Sequence, residues 1–248
     1  MGWWFPTDAY STLGQQIDDL FYLILTIVGV VFIGTHIALG YTLWKGSQDP
    51  NRRSWFTHGS HTLEVIWTIV PAGILLFIAL YQMDVWRMYR VQSAFPEDLL
   101  EVAEVTARQF EWRIRYPAPG RPLQLKPQKG DVYAVNDLHV PVNRPVLIQL
   151  RTMDVQHSFF VPSLRVKQDA LPGQVIPVWF EVTKPGIYDL TCAELCGWGH
   201  YKMRGRVVAE AEEDFRAYLQ RLAAEQAYDG VTPIETALSH AEKRQNEE

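Results

Sequence analysis

The residues with the most chemistry in this 248-residue chain sit in one short stretch. Cys192-Ala193-Glu194-Leu195-Cys196-Gly197-Trp198-Gly199-His200-Tyr201-Lys202-Met203 holds two thiols, an imidazole and a thioether, and those thiols are the chain's only cysteines. Such soft donors select copper or zinc over magnesium or calcium. Zinc sites use cysteine, histidine and carboxylates rather than thioethers, so Met203 as a ligand points to copper. The C-x3-C spacing lets both sulfurs face one volume, as bridging two metal ions requires. Gly197 and Gly199 let the backbone turn tightly around that centre. Two other readings stand beside this one. One is a zinc site; the other is a disulfide, favoured in oxidising compartments, which leaves His200 and Met203 unexplained.

A further imidazole completes the set. His157, in Asp154-Val155-Gln156-His157-Ser158-Phe159-Phe160-Val161-Pro162, follows a predicted strand and lies 35 residues before Cys192. Copper proteins of the cupredoxin type take one histidine from an early strand and the other ligands from a late loop, and this spacing fits. His139 is the rival; in Asp137-Leu138-His139-Val140-Pro141 it reads as an ordinary loop histidine.

These residues need a frame. From residue 97 the pattern is short alternating runs broken by Pro, Gly and Asn. Val105, Ala107, Phe110, Trp112, Ile114 and Tyr116 run close to period two, as do Val146, Ile148 and Leu150. Val175–Phe180, Ile187–Leu190 and Gly205–Val208 follow, separated by Asn143-Arg144-Pro145, Pro172-Gly173 and Pro185-Gly186. The spacing predicts an all-β sandwich or barrel of about 110 residues. Residues 212–228 read as an amphipathic helix with acids in its first turn, where they suit the helix dipole. The last twenty residues are polar and expected to be loose.

Ahead of this domain lie two apolar runs. Leu20 to Trp44 is 25 residues without Asp, Glu, Lys or Arg, and Val65 to Met83 is another 19 that include Pro71. A bilayer core needs about 20 apolar residues, so both runs are predicted to span, over about residues 20–44 and 64–86. No basic region precedes the first, which is also too long for a secretory signal core. The loop between them carries Lys45, Arg52 and Arg53 against Asp49, whereas residues 1–19 contain no Lys or Arg. The positive-inside rule puts the loop in the cytoplasm and both termini outside, with everything after about residue 90. Trp3, Trp4, Trp44, Trp55 and Trp86 fall near the span ends, where indole rings prefer the interface. The expected division is a transmembrane hairpin in residues 1–95, an outer β domain in 96–210 and an acidic helix and tail in 211–248.

Composition excludes several classes. Hydrophobic content of 48% and aromatic content of 12% rule out a disordered chain. A net charge of −5 gives no footprint for nucleic acid. There is no C-x-x-C-H, so no covalently attached c-type haem. The mean hydropathy of −0.10 resembles that of a soluble protein only because two apolar spans are averaged with a polar domain.

The C-x-E-x-C-x3-H-x2-M segment closely resembles the CuA motif of cytochrome c oxidase subunit II. Asp154 to Gly173 is similar to that family's first-ligand segment, and Leu63-Glu64-Val65-Ile66-Trp67-Thr68-Ile69-Val70-Pro71 resembles its L-E-x-x-W-T-x-x-P signature. The resemblance covers about residues 20–210. Nitrous oxide reductase also carries CuA, but lacks an N-terminal membrane hairpin. The resemblance implies a membrane protein with a two-helix hairpin and an all-β cupredoxin-like domain. It implies two copper ions bridged by Cys192 and Cys196 and bound by His157, His200, Met203 and the Glu194 carbonyl. It further implies a Mg or Mn ion shared with the catalytic subunit through the Glu194 side chain, and a proton-channel role for Glu64. Electrons pass from a cytochrome c-type donor to haem in a partner, subunit I, for oxygen reduction coupled to proton translocation. The implied location is a bacterial plasma membrane with the copper domain outside.

One feature departs from the family. Many members carry Q-W-x-W, whose first tryptophan accepts electrons; here Gln109-Phe110-Glu111-Trp112 puts phenylalanine there. Residues 97–210 hold 13 acids and 14 bases, so the domain lacks the acidic excess that steers a basic cytochrome. Trp198, Phe110 and Trp112 are therefore the candidates for receiving electrons, and the donor is expected to be another carrier or a cytochrome held in a larger respiratory complex. The competing functions are a quinol-oxidase-type subunit without copper and a membrane-anchored copper-binding protein.

Overall fold

The computed structural model describes residues 8–49, 53, 56 and 58–227. These form two compact units, one of residues 16–90 and one of residues 91–227 together with 8–15.

The first unit is helical. Helix α1 spans Thr12–Ser47, the part from Gln16 onward lying in this unit, and α2 spans His61–Tyr81. After Gln82 the chain resumes helix as α3, Met83–Arg90. Ser60 starts α2 by accepting a hydrogen bond from the Leu63 amide, so an otherwise orphaned N–H is satisfied. Pro71 is held inside the helix. Ile33, Ile37, Ile69 and Leu75 are exposed along α1 and α2; both helices are long and apolar enough to cross a bilayer. Helix α1 runs past the predicted span at both ends, and α2 ends earlier than expected, at the break before α3. Trp44 and Trp86 are exposed near helix ends. Trp3, Trp4, Trp55 and the loose tail from 228 onward lie outside the described residues.

The second unit is a sandwich of two five-stranded sheets. Its strands are β1 Leu100–Arg108, β2 Glu111–Tyr116, β3 Val132–Val135, β4 Asp137–Pro141 and β5 Val146–Thr152, then β6 His157–Val161, β7 Val166–Ala170, β8 Ile176–Phe180, β9 Gly186–Cys192 and β10 Arg204–Glu210. One sheet has the order β3-β2-β1-β5-β8 and the other β4-β10-β9-β6-β7. β1 with β5 and β4 with β10 are the parallel pairs. Strict alternation of buried and half-buried residues along β5 fits a strand with one face in the core. Val105, Ile114 and Ile148 from one sheet and Leu138, Phe159 and Leu190 from the other fill the interior. Helix α4, Glu212–Ala227, places Phe215 and Tyr218 against that core, with three acids in its first turn.

Three features correct the sequence-based picture. The run from Val105 to Tyr116 is two strands, with Ala107 paired to Trp112 and Arg108 to Glu111 across a turn at Gln109-Phe110. His139 lies in β4 rather than a loop, because β10 pairs with that segment in parallel, Val208 against His139. Residues 8–15 belong to the β unit: Ser11 bridges to Val182, and the Tyr10 amide donates to the Ser163 carbonyl. The Ser11 hydroxyl donates to the Leu164 carbonyl and accepts from the Gly14 amide, capping the first turn of α1. Leu13 is buried there.

Candidate metal centre

Three segments of the sandwich converge on the sulfur cluster. Cys192 closes β9, opposite Phe159 of β6, and its amide donates to the Met203 carbonyl. The Ala193 amide donates to the Ser158 carbonyl, so the loop leaves from a fixed point. The loop then turns back through short bonds, His200 N–H to the Gly197 carbonyl and Met203 N–H to the His200 carbonyl, and enters β10 at Arg204.

This path holds the two cysteine sulfurs 3.9 Å apart as free thiols, too far for the disulfide alternative. His157 Nδ1 stands 3.8 Å from Cys192 Sγ, and His200 Nδ1 stands 3.7 Å from Cys196 Sγ. Met203 Sδ is 3.9 Å from Cys196 Sγ, and the Glu194 carbonyl is 3.2 Å from Cys192 Sγ. His157, Cys192 and Cys196 are the one such metal-ligating cluster among the described residues. His157, Met203 and both cysteines are buried.

Electrostatics separates the two thiols. Burial disfavours a thiolate at Cys192, but bonds from His157, the Ser158 and Glu194 backbone and His200 outweigh it, so its pKa falls to about 6. Cys196 moves the other way: burial and the neighbouring Cys192 charge raise it to about 11. One thiolate forms readily, while a second beside it needs a cation to neutralise the pair. A donor set of two thiolates, two imidazole nitrogens, a thioether and a carbonyl fits copper.

Asp154 aligns the first histidine. Its Oδ1 accepts from His157 Nε2 at 2.8 Å, leaving Nδ1 towards the sulfurs. Its Oδ2 accepts from the Gln109 amide, while the Gln109 side chain donates to the Cys196 carbonyl. The β1–β2 turn is thereby tied to both halves of the cluster. Neither residue was a sequence candidate; the signal available for Asp154 was its position three residues before His157. Phe110 sits over the loop so closely that a Cβ on Gly199 would lie 2.5 Å from its ring and one on Gly197 3.1 Å. Gly197 also has φ +138, a conformation that disfavours side chains.

The remaining candidates separate by depth. Trp198 is 75% exposed and meets the Phe110 ring edge-on, centroids 5.1 Å apart. Trp112 is fully buried, packed edge-on against Phe159 and His157, so it touches no outside partner. The Glu194 carboxylate lies 3.8 Å from Lys167. Glu64, in the first turn of α2, belongs to the helical unit. His139 stands apart from the sulfurs: its Nδ1 is 2.7 Å from Glu210, its Nε2 is 3.4 Å from Asp137, and its ring stacks on Tyr218.

Two family models match the chain: cytochrome c oxidase subunit II transmembrane domain over residues 2–85, and the periplasmic domain of the same subunit over residues 123–211. The alternative cytochrome c oxidase subunit 2 of Bradyrhizobium diazoefficiens is 32% identical over 88% of this chain and 83% of its own length. Cytochrome c oxidase subunit 2 of Cereibacter sphaeroides is 31% identical over 92% of this chain and 81% of its own. Among solved structures, the periplasmic domain of subunit II of cytochrome oxidase from Bradyrhizobium japonicum aligns with a TM-score of 0.44 at 25% identity, covering 50% of this chain and 94% of that one.

Proposed function

The chain belongs to the cytochrome c oxidase subunit II family, and from that premise we propose that its β domain holds a binuclear copper centre, CuA, on Cys192, Cys196, His157, His200, Met203 and the Glu194 carbonyl. It is a membrane protein and the subunit through which electrons enter a haem-copper oxidase, an oxidoreductase complex that it forms with other oxidase subunits. The observation that carries the copper assignment is the convergence of two sulfurs, two imidazole Nδ1 atoms and a thioether in one buried pocket. A complete ligand set of this kind argues against a copper-free quinol-oxidase-type subunit.

When bound, a copper pair supplies reversible one-electron storage. The protein's own residues prepare it. Asp154 holds the His157 tautomer, Gln109 and the glycine-lined loop fix the backbone, and Trp112, Phe159 and Phe110 exclude water from the sulfurs. A rigid, buried set changes little between redox states, which suits electron transfer rather than substrate chemistry. Trp198 with Phe110 receives electrons from a cytochrome c-type donor, free or held in a respiratory supercomplex, for delivery to haem in subunit I, where oxygen would be reduced. The Glu194 carboxylate meets Mg or Mn at the boundary with subunit I, as suits a hard cation. Glu64 serves a proton channel. The chain lies in a bacterial plasma membrane, with the copper domain and both termini on the periplasmic side and the Lys45–Arg53 loop in the cytoplasm.

The test is electron paramagnetic resonance of the purified membrane complex, with metal analysis and oxygen uptake. A mixed-valence binuclear copper signal is expected; a mononuclear signal, or none, overturns the assignment. Glu64→Gln is expected to lower turnover and proton pumping, and unchanged values would remove Glu64 from the proton path.

A further inference from the structure

The surface above the sulfur cluster carries a charge pattern that selects its partner, an inference that rests on electrons entering the chain there. Lys202 lies over the exposed Trp198 indole, Nζ 4.3 Å from the ring centroid. Beside Phe110, Glu111 is shared by two guanidinium groups, Arg108 at 3.0 Å and Arg113 at 2.7 Å, with those arginine side chains 41% and 44% exposed. Three acids nearby have partners of their own. Asp154 accepts from His157, Gln109 and Val155, and Asp169 and Glu194 both face Lys167. Lys202 is exposed, and among the described residues it pairs with no carboxylate. The charged groups placed at the indole and beside Phe110, Lys202 and the Arg108–Glu111–Arg113 group, sum to positive charge.

We propose that the Trp198–Phe110 surface, flanked by Lys202, Arg108 and Arg113, receives a one-electron carrier whose redox edge is apolar and ringed by carboxylates. An exposed tryptophan supplies a broad, rigid apolar contact at the centre of such a docking face. Rim charges of one sign set the encounter rate and discriminate against carriers of the same sign. A basic cytochrome meets like charge here.

The test uses the assembled oxidase in stopped-flow mixing with two reduced probes, a cytochrome c of negative net charge and a basic one, at low and high salt. The acidic probe is expected to react faster at low salt and to slow as salt screens the attraction. Arg113→Glu, in β2 rather than in the copper loop, and Lys202→Glu are each expected to slow the acidic probe about tenfold or more at low salt and to speed the basic one. Trp198→Leu is expected to slow both probes alike. Copper resonance is recorded on every variant. If the copper signal is intact and the parent prefers the basic probe, or the charge reversals leave both rates unchanged, the docking proposal is overturned and the copper assignment stands. A parent complex without the signal overturns both.

Discussion

The copper end of the sandwich and the pocket beneath α4 each hold a buried histidine in the same sheet, beside a carboxylate, and the two are built in opposite ways. His157 gives one nitrogen to Asp154 and keeps Nδ1 facing the sulfurs. His139 has a carboxylate at both nitrogens, Glu210 and Asp137, and its ring lies 3.5 Å from the parallel ring of Tyr218. Neither burial nor a carboxylate partner separates the two histidines; a nitrogen left facing the sulfurs does. The first pocket spends its hydrogen bonds on aiming a donor atom, the second on closing a network.

The largest expected effect falls on the sulfurs. Cys196→Ser removes a shared ligand and is expected to abolish the binuclear signal, with copper content by elemental analysis falling by half or more; a retained mixed-valence signal would break the contrast. Asp154→Ala leaves every ligand in place but frees the His157 ring, so copper affinity is expected to fall about 10–100-fold, read by chelator competition. His139→Ala is expected to leave copper content and signal unchanged and to cost about 1–3 kcal/mol of stability in thermal or denaturant unfolding, as partners in a buried network are stranded. Loss of copper in that variant would show that the two pockets are coupled.

The smallest effect is one of pH. Burial works against the Asp137 carboxylate, but bonds from Arg206 and the nearby His139 outweigh it and hold its pKa below 3.8. A carboxyl whose pKa is lower folded than unfolded stabilises the fold above its unfolded value and loses that contribution as pH falls through the folded one. The parent is therefore expected to exceed Asp137→Asn in stability at pH 5 by up to about 1 kcal/mol, the pair being partly exposed, and to lose that advantage as the pH falls below the ordinary carboxylate range and through the lowered folded pKa. An advantage persisting at the acid end would show that the side chain acts through shape rather than charge.

The convergence of the candidate donors was largely legible because they are close in sequence: a loop of twelve residues carries five of the six proposed, and only His157 comes from elsewhere. The strand pattern was legible where alternation was clean, as in β5. In β1–β2 the inward residues change from odd to even numbers between Ala107 and Phe110, the trace of a two-residue turn that period counting alone passes over. Long-range pairings left no such trace. Arg115 is buried between Glu104, 2.9 Å away, and Asp131, 2.7 Å away; nothing local to any of the three announces the ion triad, which exists only once β1, β2 and the segment before β3 are in register. His139 looked like a loop residue because Pro141 follows it, yet a strand's last position at a sheet edge tolerates proline.

The attachment of Tyr10, Ser11 and Leu13 to the sandwich gives the domain a history as well as a shape. Its strand-to-strand contacts begin at Leu100, but the segment that seals one flank near Val182 is made some ninety residues earlier. During synthesis the clasp emerges first, and its seat at Leu164 follows 153 residues later. The sandwich cannot be finished on that flank until both are present, and a fragment excised at Val91 carries an open seam where Leu13 and the Ser11 bonds belong.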